Sequence, residues 1–254
     1  MKKYKVLFIG GSAYACAGAI KYKDDAVVLE NNIVLAPEFT LSYAKNNVSA
    51  PISAFAEMFY EKVKEKGLIQ NSKIHLMPTA DIMAELMLGK NIYLDSSIIN
   101  ITKEQNLYKV DFWSQGGINT VYAENIIDTT EKGYDNTGKK YIKAQYMCGA
   151  LNISTEMKGT ENCFFVKGAF EDEMYFVCKI PAGADYPEAR MLFYEEWKKL
   201  KRTPDVLLVS EGQKMIYEYE GNIDEEIAEK FRWIPSMQFK DIVCALEEGM
   251  KCSF

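Results

Sequence analysis

The sequence predicts an α/β fold: a parallel sheet, an antiparallel β-meander and an inserted antiparallel region. Three observations predict it. Residues 5–30 order themselves as strand, glycine turn, short helix and strand. From Asn91 the apolar period changes from helical to two. After Tyr141 further strand-like runs are rich in aromatic residues.

The first strand is Val6-Leu7-Phe8-Ile9, apolar and partly β-branched as a strand buried on both faces should be. Gly10-Gly11-Ser12-Ala13-Tyr14-Ala15 follows, then the small residues Cys16-Ala17-Gly18-Ala19, which suit a closely packed helix. Ser12 is placed to cap that helix. Ala26-Val27-Val28-Leu29 is the second strand and ends at Glu30. This is the order a dinucleotide site needs: a tight turn lets phosphate reach N–H groups at a helix N-terminus, and an acid then meets ribose hydroxyls. Of the three glycines of G-x-G-x-x-G, however, only Gly10 is present; Ser12 and Ala15 hold the other two positions.

Residues 31–47 read as a loop broken by Pro37 and Asn46-Asn47. Residues 54–66 predict a helix with Phe55, Met58, Phe59 and Val63 on one face and Gly67 as its stop. Residues 80–88 predict another, ending at Gly89, with 73–77 a short strand or extended link between them. Ile92 to Asp95 opens a strand, and the runs 97–102, 107–113 and 119–123 form a three-stranded antiparallel meander. Residues 124–130 supply one more strand. Strands are expected over 141–152, 163–169, 173–180, 206–210 and 214–219, and helices over 187–201 and 239–248, the last stopped by Gly249. The expected organisation is a nucleotide-type domain over 1–136 and 230–254, with a substrate- or cap-like region over 137–229.

The 254 residues suit one large domain or two intimate smaller ones, and 48% hydrophobic with 26% charged residues is ordinary for a globular protein. A net charge of −6 with no basic patch argues against nucleic acid or an anionic membrane as partner. The run Lys198, Lys199, Lys201 and Arg202 closes a helix, where cations offset the dipole. The six cysteines are scattered without C-x-x-C pairs, and the chain shows neither a signal peptide nor a membrane-length apolar run. Reduced, buried thiols, no metal site and a cytoplasmic location are expected. His75 is the single histidine and has no partner at a recognisable spacing; Glu171-Asp172-Glu173 reads as a solvated turn. The pairs Phe164-Phe165 and Tyr175-Phe176 read as core.

This order of parts resembles the FAD-dependent oxidoreductases with glutathione-reductase-like, FAD/NAD(P)-binding architecture, in particular the fumarate-reductase-like group. The resemblance rests on Ile9-Gly10-Gly11-Ser12-Ala13, on Glu30, on the segment 80–130 ending in Ile127-Asp128-Thr129-Thr130, and weakly on Trp233-Ile234-Pro235-Ser236 and 245–249. It implies FAD over Gly10, Gly11, Ser12, Ala13, Tyr14 and Ala15, a ribose at Glu30 and Asn31, and flavin-side contacts at Thr129 and Thr130. It also implies hydride transfer between flavin and a small-molecule substrate; NAD(P) at the same turn is a weaker option. The departures are as informative. The spacing from turn to Glu30 is about three residues shorter than in the family, roughly one helical turn. An expected Gly-Gly is Ala36-Pro37, and an expected Gly-Asp after Thr130 is Glu131-Lys132, placing a carboxylate where it repels an anionic cofactor. Tyr14 stands where a small residue is usual, either in cofactor space or stacked on a ring. The alternative function is therefore a cofactor-free accessory subunit, paired with a protein partner or with copies of itself.

Overall fold

The computed structural model describes residues 2–153, 157–202 and 206–254. The chain opens with β1 (Lys3–Ile9), α1 (Ala13–Tyr22) and β2 (Ala26–Leu29), in the order expected. α2 (Pro37–Thr40), α3 (Ala54–Glu65), the hairpin β3 (Ile69–Gln70) and β4 (Lys73–Ile74), and α4 (Thr79–Leu86) follow, and then β5 (Ile92–Tyr93). The meander is β6 (Ser97–Glu104), β7 (Leu107–Ser114) and β8 (Gly117–Asp128). The second region holds β9 (Ile142–Asn152), β10 (Cys163–Lys167), β11 (Glu173–Ile180), α5 (Tyr186–Lys199), β12 (Leu207–Glu211) and β13 (Ile216–Tyr219). The chain ends with β14 (Glu225–Ala228), β15 (Phe231–Trp233) and α6 (Ile242–Lys251).

The first sheet runs β14-β15-β8-β1-β2-β5, with β7 and then β6 extending from β8. β1 is parallel to β2 on one side and to β8 on the other. Two stretches expected as separate strands, 119–123 and 124–130, are one strand. β8 pairs antiparallel with β7 through Ala123 and parallel with β1 from Tyr122 to Asp128. A twisted strand does both when it is long enough to leave one neighbour for another. The second sheet runs β10-β11-β9-β12, with β13 pairing the other end of β9. α5 covers one face of it, Phe193 and Trp197 packing on Phe176; its first turn is closed by a capping box between Asp185 and Glu188.

Several boundaries differ from expectation for local reasons. Pro37 does not simply break the loop; it starts the one-turn α2, since its fixed φ suits a first helical position. Met58 is half exposed, so the buried stripe of α3 is Phe55, Ala56, Phe59 and Val63. The last helix begins at Ile242, capped by Asp241, and Gly249 lies inside it rather than ending it. A Cβ on Gly249 would stand 2.2 Å from the Tyr14 carbonyl oxygen, so this glycine lets α6 lie directly on α1. Phe164 is half exposed, whereas Tyr175 and Phe176 are core. Among the described residues no helix is long and apolar enough to cross a membrane.

Candidate functional site

A cavity of about 460 Å³ opens where β1, β2 and β8 end at their C-terminal edges, the place where open parallel sheets bind ligands. Gly10 makes the sharp turn out of β1 with φ +88°, and its N–H donates to the Leu29 carbonyl at 2.8 Å. Of the expected residues, Gly10, Ser12, Glu30, Asn31, Thr129 and Thr130 line the cavity; Gly11, Ala13, Tyr14 and Ala15 do not. Tyr14 faces the opposite way, its ring stacked on Phe239 with centroids 5.7 Å apart, so it belongs to the α1–α6 packing and not to cofactor space. Ser12 caps α1, accepting from the Ala15 N–H at 3.1 Å, while its hydroxyl donates to Thr129 Oγ1 at 2.8 Å.

The residue that decides the site is Glu38, which sequence reading passed over. It sits on α2, 2% exposed, and its Oε1 accepts from the Ala13 N–H at 2.9 Å and from Ser236 Oγ at 2.6 Å. A carboxylate of the chain itself therefore stands at the N-terminus of α1, where a dipole and free N–H groups favour an anion. The neighbouring donors are also taken: Gly11 N–H by the Glu30 carboxylate, Tyr14 N–H by Ser236 Oγ at 3.4 Å, and Ala15 N–H by Ser12. Glu30 accepts in addition from the backbone and side chain of Asn32. Space is short as well. A Cβ on Gly11 would lie 2.9 Å from both Glu30 Cβ and Leu35 Cδ2, because residues 31–36 cross over the turn and the Ala36 N–H reaches the Gly11 carbonyl at 2.8 Å. Ala36 is left-handed with φ +52°, a conformation glycine adopts without strain. An FAD resting its pyrophosphate on this helix terminus fits these residues poorly: the N–H groups of Gly11, Ala13, Tyr14 and Ala15 already have partners within the chain, and a carboxylate stands at the terminus.

The expected repulsion from Glu131 needs correction. Its Oε1 lies 2.5 Å from Lys214 Nζ, which reaches the cavity from the second region. Burial opposes both charges. Lys214 nevertheless keeps a raised pKa through Glu131, Glu30 and Glu38, and Glu131 a lowered one through Lys214. Glu131 has an ion pair with Lys214; Glu38 feels that lysine only as a weaker, more distant charge. Glu38 Oε2 has no partner among the described residues, and burial raises this carboxyl to about 7. Asp128, whose carboxylate holds the following loop through the Thr130 and Tyr134 N–H groups, is pushed by burial to about 6.

These shifts fix a sign. Between about 4.5 and 7 the unfolded chain loses the Glu38 proton while the folded chain keeps it, so stability falls as pH rises through that window. Ionised Glu38 costs about 3 kcal/mol relative to an exposed glutamate. Glu38→Gln is expected to be more stable than the parent by up to about 3 kcal/mol at pH 8, with little difference at pH 4.5. Urea unfolding at the two pH values checks it; a gain independent of pH would overturn the assignment.

His75 does have a partner, 98 residues away. Its Nδ1 lies 2.6 Å from Glu173 Oε1, which also accepts from the Tyr175 hydroxyl, and Glu173 Oε2 holds the Ala169 N–H at 2.8 Å. Glu173 is thus buried at the start of β11 and not part of a solvated turn. None of these residues lines the cavity.

No family model matches the chain, and no curated protein is similar to it in sequence. Solved structures are similar in fold. p-Nitrophenol 4-monooxygenase PnpA from Pseudomonas putida DLL-E4 matches with TM-score 0.64 at 10% identity, over 99% of this chain and 79% of its own. The rebeccamycin biosynthetic enzyme RebC matches with TM-score 0.56 at 7% identity, over 91% of this chain and 57% of its own. A flavoprotein/dehydrogenase from Cytophaga hutchinsonii matches with TM-score 0.51 at 14% identity, over 98% of this chain and 76% of its own. The chain thus spans little more than half of RebC. At these identities the likeness is one of architecture: the mixed α/β fold of this chain is similar to that of these solved structures.

Proposed function

We propose that this protein is a cofactor-free accessory chain that keeps a flavoprotein architecture, its own Glu38 carboxylate standing in for the cofactor's phosphate. The hydrogen bond from the Ala13 N–H to Glu38 carries the reading. Above pH about 7, where Glu38 is ionised, a helix terminus already holding a buried anion offers a second anion repulsion in place of attraction. Two unit charges ~4 Å apart at an effective dielectric of ~20 cost about 4 kcal/mol, roughly a thousandfold in affinity. An accessory role calls for a protein partner, and the exposed cross-strand pair Trp113 and Ile118 on the meander supports one.

The second reading is a working FAD oxidoreductase transferring hydride to or from a small molecule. The cavity supports it, lying at the strand ends with Glu30, Thr129 and Thr130 on its walls. FAD titration of the purified protein at pH 8 separates the two. Under the accessory reading the parent shows no stoichiometric binding, and Glu38→Gln, which keeps the shape and removes the charge, tightens FAD at least about tenfold. Tight binding by the parent, or a protein that purifies with flavin absorbance, would establish the oxidoreductase reading instead.

A further inference from the structure

A second, smaller cavity of about 150 Å³ lies under the segment 43–46, on the second sheet. Its walls are the rings of Tyr43, Tyr146, Phe164 and Tyr175, with Val177 and Ile216 among its apolar residues. Ile216 and Glu218 alternate along β13 with Tyr217, which lines the large cavity, so the two cavities lie on opposite faces of that strand. Tyr43 is stacked on Tyr175 at 5.8 Å, and its hydroxyl pairs with Ser210 Oγ at 2.8 Å. Tyr146 meets Phe164 edge-on at 6.2 Å. The rim segment holds two left-handed residues, Tyr43 at φ +57° and Lys45 at φ +59°. Lys45 is anchored there by the carbonyls of Met237 and Phe239.

Among the described residues, two charged side chains line this cavity, Lys45 and Glu218. They are of opposite sign, and the Lys45 ammonium is turned onto backbone carbonyls. Glu218 is exposed at the rim and accepts only from the Tyr146 hydroxyl, at 3.2 Å, among the described residues. A volume of roughly this size has room for a benzene-sized molecule, and a ligand site is typically an apolar pocket with a few placed polar groups. We propose that this cavity binds a neutral molecule of one aromatic ring, whose O–H or N–H donates to the Glu218 carboxylate. The rings and branched side chains recognise the ring of the ligand by stacking and edge contacts. Lys45, within electrostatic range of Glu218, sets a positive charge against a cation there.

Methyl-labelled protein titrated with phenol, toluene and benzyltrimethylammonium tests this. Phenol is expected to shift the Val177 and Ile216 methyl signals saturably, with a Kd on the order of 1 mM or below. Toluene, lacking the donor, binds about fivefold more weakly. Glu218→Ala, an exposed substitution, brings phenol to the level of toluene and leaves toluene unchanged. Ile216→Trp, which fills the cavity, weakens both at least about tenfold. The proposal fails if neither methyl responds at tens of millimolar, if the ammonium ion binds more tightly than phenol, or if Glu218→Ala leaves phenol's advantage intact.

Discussion

Glu131→Gln is expected to destabilise the protein by about 3 kcal/mol at pH 8, because it leaves the Lys214 ammonium in a largely buried position without its nearest counter-charge. Lys214 Nζ is 2.5 Å from Glu131 Oε1, and the side chains are 20% and 18% exposed. Such a pair owes little net stability to its attraction, since both ions were taken out of water to form it. Removing one partner costs far more than the pair contributed. Glu30 and Glu38 lie close enough to raise the lysine's pKa and soften the loss. The double variant Glu131→Gln/Lys214→Met should recover most of the stability, as no charge is stranded. Denaturant unfolding of the parent, both single variants and the double closes the cycle. A double variant as unstable as Glu131→Gln would show that the pair matters through shape and not charge.

Gly249→Ala should cost about 2–3 kcal/mol, in spite of alanine's better helix propensity of about 1 kcal/mol. The added methyl would lie 2.2 Å from the Tyr14 carbonyl oxygen and 2.8 Å from Ala17 Cβ. Neither is the free end of a flexible side chain, so α6 must back away from α1. That movement loosens Ile242, Val243, Ala245 and Leu246, all fully buried, and disturbs the Tyr14–Phe239 stack. The measurement is a thermal or urea midpoint with near-ultraviolet dichroism for the tyrosine environment. A midpoint at or above the parent's would mean that the helices are not in this contact.

These two residues show where sequence reading stops. Gly249 is legible as a helix-associated glycine, but its role is set by a helix more than two hundred residues earlier in the chain. Glu131 is legible as a charge in the wrong place, and only Lys214, 83 positions on, reverses the inference. Glu38 carried no signal at all. It occupies a stretch read as loop, and its meaning comes from the Ala13 N–H, 25 residues back, and from Ser236, 198 residues ahead.

What the amino-acid order determined by itself is the local grammar. The strand–glycine–helix–strand unit, the Ser12 cap, the period-two runs of the meander and the α/β class follow from forces acting over a few residues: apolar periodicity, left-handed backbone at glycine, and satisfaction of helix-end donors. The tertiary structure decided three things. It joined two expected strands into β8, because each half found a different neighbour. It turned Tyr14 away from the cavity, because α6 lies on that side of α1. It placed Glu38 on the helix terminus, because the crossing of residues 31–36 over the glycine turn brings α2 there. Each depends on which distant group becomes the neighbour. Electrostatic and steric energies depend on distance in space, and separation along the chain does not record it.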